Sequence, residues 1–180
     1  MTEHRILPLP GYTPTIGRLV GMLTYARQTT LTAVTGLTRE QLDHLHDARS
    51  NTIGALLAHI AVVERGYQIV AFEERQPSAS EMAQWSAALN LEDQGRREIR
   101  GHELQFYTDE LMRTREATLA ALAQRDDAWL EAPLRIAPNL NAHWALFHVA
   151  EDEINHRGQI RWLRARLPRR DTSGQDVPVA

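Results

Sequence analysis

The chain has 180 residues, 43% of them hydrophobic and 24% charged, with a formal net charge of −3, the make-up of one ordinary globular domain long enough to bury a core. It contains no cysteine, which excludes disulfides, thiolate metal ligands and a cysteine nucleophile, and its slightly acidic balance gives no reason to expect nucleic-acid binding. The N-terminus, with Glu3, Pro8 and Pro10, lacks the apolar core of a signal peptide, and no stretch reads as a membrane span, so a soluble, cytoplasmic protein is expected.

Proline and glycine punctuation, with helical periodicity between, predicts an all-α chain built on four long helices. The first runs from Thr15 to Val34, with Ile16, Leu19, Val20 and Leu23 on one face. Thr38-Arg39-Glu40-Gln41 matches a capping box and starts a short helix. Asn51 is a fitting N-cap for the second long helix, which carries Ile53, Leu56, Leu57, Ile60 and Val63 inward and stops before Pro77. Residues 78–100 are polar and interrupted by Gly95, and they read as a long connection with some helix, familiar in four-helix bundles. The third helix spans Gly101 to Gln124, with Leu104, Tyr107, Leu111, Thr118 and Leu122 inward. Pro133 and Pro138 hold the next segment irregular, Asn139 caps the fourth helix, and Pro168 stops it after Leu167. No strand pair is predicted. Residues 1–167 are expected to form one domain and 168–180 a disordered tail. The arginines at 161, 164, 166, 169 and 170 read as a solvated face complementing the helix dipole.

The fourth helix carries the chemistry. Its inward stripe is Ala145, Val149, Asp152, His156, Ile160, Leu163 and Leu167, so an acid and an imidazole stand where the periodicity asks for leucine. A buried carboxylate without a partner costs several kcal/mol or takes up a proton. A divalent cation compensates it well, and residues at i and i+4 point the same way from adjacent turns. His59, on the apolar side of the second helix among Leu56, Val62 and Val63, is the natural third contributor, because bundle interiors build metal sites from facing helices. Two imidazoles and a carboxylate leave open positions for water or substrate. Plainer readings stand beside this one: a hydrogen-bonded core histidine at 59, or a self-contained Asp152–His156 ion pair. His148, at i−4 from Asp152, is as well spaced as His156, and the two histidines are about 12 Å apart along the axis. Spacing alone does not choose between them.

Two segments bring a family into view. Ser50-Asn51-Thr52-Ile53-Gly54-Ala55-Leu56-Leu57-Ala58-His59-Ile60, and His148 through Ile160 with its His156-Arg157-Gly158-Gln159-Ile160 ending, resemble the second- and fourth-helix motifs of the DinB-like (YfiT-like) metal-binding bundles. The resemblance covers nearly the whole chain. It implies an up-down-down-up four-helix bundle, often a homodimer, with three histidines that bind zinc or nickel. The first falls on His59, the last on His156 and the middle one on Asp152, which puts the register on Asp152 rather than His148.

The carboxylate in place of the family's usual histidine lowers the charge of the site by one unit, so bound water should be less acidic than with three imidazoles. Oxygen ligation also widens the plausible metals toward manganese and iron. Some relatives are transferases or isomerases that use a low-molecular-weight thiol, and the resemblance implies that role here. Gln159, one turn past His156, is placed to hydrogen-bond a group near the ligands. Gly158 suggests that another helix or a second subunit passes close. Glu64 lies about 140° around the helix from His59, off the same metal, and reads as surface or as support behind the ligands. The four tryptophans read first as packing residues, with Trp85 and Trp129 near loops where they could border a pocket.

The leading expectation is a metal-dependent enzyme that activates water or a thiol for transfer to, or hydrolysis of, a small electrophilic molecule. The alternative is a non-catalytic bundle holding a structural metal or a buried polar ligand-binding cluster.

Overall fold

Four long helices carry the core of the computed structural model, which describes residues 5–168. They are α1 (Pro14–Val34), α3 (Ile53–Gln68), α6 (Leu104–Leu122) and α8 (Ala142–Arg164). Shorter elements join them: α2 (Arg39–Leu42), α4 (Ala79–Asn90), α5 (Glu92–Glu98), α7 (Asp127–Glu131) and two short strands, β1 (Pro133–Leu134) and β2 (Ala137–Asn141). The mostly helical fold agrees with the expectation. The tail expected at 168–180 lies outside the described residues from 169 onward.

Several of the helices start at a recognisable signal. α1 has Pro14 at its first turn and no capping side chain of its own. Its free amides are instead met by Asp127 of α7, which accepts from Thr15 N and Ile16 N at 3.0–3.1 Å. Those bonds, with the Thr13 hydroxyl foremost, hold the Asp127 carboxyl down at about 2. The cap of α3 is Thr52, not Asn51, since the Thr52 hydroxyl accepts from Ala55 N at 3.1 Å. α2 and α4 begin with full capping boxes, Thr38/Gln41 and Ser78/Glu81. Asn141, two residues later than expected, caps α8 through Trp144 N.

Cross-helix pairs give the relative directions. Arg27–Glu153, Thr29–Arg157 and Ala33–Arg164 advance together, so α1 and α8 run the same way. Glu64–Arg115 and Gln68–Thr118 do the same for α3 and α6. His59–His156 and Tyr67–His148 run in opposite senses, so α3 and α8 are antiparallel. The apolar interior falls into two clusters: one around Leu42, Leu56, Ile60, Leu111 and Ile160, the other around Leu19, Leu23, Leu122, Leu146 and Val149.

Several expectations need correction. The long connection at 78–100 is largely helical, as α4 and α5, because its capping box and the Arg75–Glu81 ion pair anchor the start. A strand pair does form: Leu134 pairs antiparallel with Ala137, too short to leave an alternating pattern in the sequence. Trp144 and Trp162 are each 45% exposed rather than packed in the core. A side chain at Gly158 would meet nothing within 4 Å, so its helix neighbours leave that face open and the close approach expected there is not present among the described residues. Ile53–Glu73, α3 with the π-helical turn that extends it, is long and apolar enough to cross a membrane by length and composition, but half of that stretch is buried within the fold, as expected of a core helix.

Candidate metal centre

α3 and α8 bring His59, Asp152 and His156 together, side by side and each about 15% exposed. His59 Nε2 lies 3.6 Å and His156 Nε2 3.4 Å from the same oxygen, Asp152 Oδ1. The two rings meet edge to face with centroids 4.6 Å apart, and one donor atom from each residue falls within 4.8 Å of the other two. Ligands held about 2.0–2.1 Å from a tetrahedral ion are separated by about 3.3 Å, close to both nitrogen–oxygen distances. Asp152 Oδ2 and His156 Nδ1 are buried without a hydrogen-bond partner, a rare condition in a settled interior. The donor set, with the unmet Asp152 Oδ2 beside it, fits a divalent cation.

The electrostatics point the same way. Burial works to raise the Asp152 carboxyl, but the His156 and His59 imidazoles outweigh it and hold the group well below the usual carboxylate range. Burial likewise opposes charge on His59, and Asp152 with the Ala88 carbonyl overcomes it and raises the ring's proton affinity. A proton on the His59 ring and a cation therefore compete for this site. His59 Nδ1 sits 2.8 Å from the Ala88 carbonyl of α4. A carbonyl only accepts, so Nδ1 carries the proton and Nε2 presents its lone pair to the site.

Beside this cluster lies a polar layer that the sequence reading missed. Arg27 (α1), Glu64 (α3), Arg115 (α6) and Glu153 (α8) are all at most 6% exposed at the side chain and contact each other in a closed ring: Arg27–Glu64 2.9 Å, Arg27–Glu153 2.8 Å, Arg115–Glu64 2.7 Å and Arg115–Glu153 2.9 Å. Arg27 also donates to the Leu111 carbonyl, and Arg115 to that of Leu23. Thr118 completes Glu64 at 2.6 Å. Glu64 is thus a core ion-pair residue rather than a surface group, because α6 and α1 bring two guanidiniums to it. The signal was present: each of the four stands one turn from an apolar stripe residue (Leu23, Ile60, Leu111, Val149), with two charges of each sign.

The other expected site residues do not join the three. His148 pairs with Glu151 at 3.1 Å and stacks on Trp144, pointing to a different part of α8. Gln159 is exposed and makes no hydrogen bond to the cluster, so the support expected of it is absent. Instead it lines a cleft of about 470 Å³ with Asn51, Leu56, Asn155, Gly158 and Trp162. Leu56 and Gln159 each lie three residues from a histidine of the cluster, which puts the cleft one turn along both helices. Trp85 and Trp129 do not line it.

Comparison with known proteins bears on the family and the fold. The profile of one family, described as mycothiol-S-transferase, matches residues 18–168, in keeping with the DinB-like resemblance. The crystal structure of a conserved protein from Enterococcus faecalis superposes with a TM-score of 0.61 at 19% identity, covering 82% of this chain and 94% of that one. At that identity the likeness concerns the fold. No curated protein matches the sequence.

Proposed function

The chain belongs to the mycothiol-S-transferase family, and from that membership and the geometry of the cluster we propose that it is a divalent-metal-dependent transferase that joins a low-molecular-weight thiol to a small electrophile. The observation that carries the proposal is the convergence of two imidazole nitrogens on one carboxylate oxygen at 3.4 and 3.6 Å, with the second Asp152 oxygen buried and unmet. His59, Asp152 and His156 are the proposed ligands. Zinc or nickel suits two nitrogens and one oxygen best, and manganese or iron remains compatible with the carboxylate.

A divalent ion held there supplies the positive charge that keeps a thiol or water deprotonated near neutral pH. The protein's part is to orient and to exclude. Ala88 sets the tautomer of His59, Asp152 offsets one unit of charge, and the α3–α8 surface keeps the ligands mostly out of water. The neighbouring cleft, bordered by Asn51, Asn155 and Gln159 without a charged side chain among them, suits an uncharged polar molecule of modest size. The directions of the long helices support an up-down-down-up bundle. Homodimers in the cytoplasm belong to the same reading.

Elemental analysis of purified protein should find about one divalent ion per chain, and His156→Ala should lose it together with thiol-transfer activity. Metal-free protein after reconstitution defeats the proposal. A metal retained with no turnover on any thiol–electrophile pair favours the structural-metal alternative.

A further inference from the structure

The break between α4 and α5 lies beside the proposed ligand set. In a continuous helix the Glu92 N–H would bond the Ala88 carbonyl, four residues back. Here Leu91 adopts φ 55, ψ −134, and Glu92 follows with φ 45. Side chains rarely enter either region, and two such residues in succession persist only where surrounding contacts hold them. The Glu92 N–H goes instead to Asn51 Oδ1 at 3.0 Å, across from the turn that precedes α3. Arg96 ties the same junction down, donating to the Arg49 and Ser50 carbonyls at 3.1 and 3.2 Å. Helix interruption thus withdraws the usual donor from Ala88, and the carbonyl takes the His59 ring at 2.8 Å.

We propose that Asn51 is a positioning residue for His59: by accepting the Glu92 N–H it holds the α4–α5 break open and keeps the Ala88 carbonyl for the ring. The alternative geometry is close at hand. Without an acceptor at position 51, Leu91 relaxes toward helical dihedrals, α4 runs into α5, and the Glu92 N–H reclaims Ala88. A carbonyl oxygen accepts twice, but an axial helical bond fixes its direction along α4, away from a ring that approaches from α3. His59 then loses its fixed tautomer and Nε2 no longer faces Asp152 reliably. Partners that orient a ligating histidine typically contribute 10–100-fold in metal affinity.

This inference rests on the proposed metal site, and two readouts separate the two. The first needs no metal: nitrogen NMR of the histidine rings in metal-free protein at about pH 9, where imidazoles are neutral, should show His59 as the Nδ1–H form in the native protein and a tautomer mixture in Asn51→Leu. The second is zinc titration, in which Asn51→Leu should bind about 10-fold more weakly and Asn51→Asp, which keeps an acceptor, should bind as the native protein does. Asn51→Ala serves if the leucine variant does not fold. An unchanged His59 tautomer in a folded variant lacking the acceptor overturns the proposal, whatever happens to its melting temperature. A native protein that binds none of zinc, nickel, manganese or iron, while Asn51→Leu still shows the tautomer change, defeats the metal reading and leaves the positioning role standing.

Discussion

Glu64→Gln tests the buried charge layer with almost no change of shape. In the native protein Glu64 accepts from Arg27 Nη2, Arg115 Nε and Nη2, and the Thr118 hydroxyl at 2.6–3.1 Å. The amide keeps one accepting oxygen but turns an NH₂ toward a guanidinium and leaves two arginines sharing Glu153 alone. Removing one partner of a buried ion-pair network typically costs about 3–5 kcal/mol, because the stranded charge is not rehydrated. For a chain of this size that is a fall of about 6–20 °C in Tm, read by circular dichroism with urea midpoints as a check. The pH dependence carries its own sign. Arg115 and Arg27 overcome the opposing effect of burial and hold the Glu64 carboxyl below its ordinary 4.5. Its stabilisation is therefore fully present above that value and is lost as pH falls through the lower folded-state pKa. The gap between native and Gln proteins should be constant at neutral pH and close in acid. A Gln variant within about 1 kcal/mol of native at pH 7 would refute the view that this layer depends on balanced charge.

Other outcomes follow from the same coordinates. Chelation should lower the Tm of native protein, since an ion at about 100 times its Kd adds about 2.7 kcal/mol, and should leave His156→Ala unaffected; equal melting curves with and without chelator speak against a bound ion. Tyr107→Phe should be neutral or stabilising by about 1 kcal/mol, because the Tyr107 hydroxyl is buried without a partner, and a clear loss in urea melts would contradict this. Gly54→Ala should destabilise, since its Cβ would stand 2.7 Å from that hydroxyl and 2.9 Å from the ring carbon bearing it, and thermal melts decide it. Asp127→Asn should remove a stabilisation that native protein holds above pH 3.8 and loses as pH falls through about 2; identical acid titrations of stability in the two proteins would show that α1 does not depend on this cap.

Much of the chain was legible from periodicity and punctuation. The four long helices, the Thr38 capping box and the placement of His59, Asp152 and His156 on facing stripes all follow from spacing within one helix. Errors arose where the decisive partner is remote. Asn51 reads as a helix cap by composition, yet Thr52 takes that role and Asn51 serves Glu92, distant in sequence. Glu64 reads as surface or as support behind the ligands until α1 and α6 deliver Arg27 and Arg115. Gly158 reads as a place where another helix or a second subunit passes close, and within the described residues of this chain no helix does so, the glycine instead lining a cleft.

The sequence by itself determined that this protein is helical, roughly where its long helices lie, and that Asp152 and His156 share one face of the last of them, because backbone geometry maps spacing directly onto a helix face; the choice of Asp152 with His59 came from the family resemblance. Tertiary structure alone decided that two glutamates and two arginines cancel in the middle of the bundle, that the Ala88 carbonyl meets the His59 ring, and that a cleft runs one turn along from the His59–Asp152–His156 cluster. Those are relations between faces of different helices, and no periodicity within one helix encodes the rotation and offset at which another will dock.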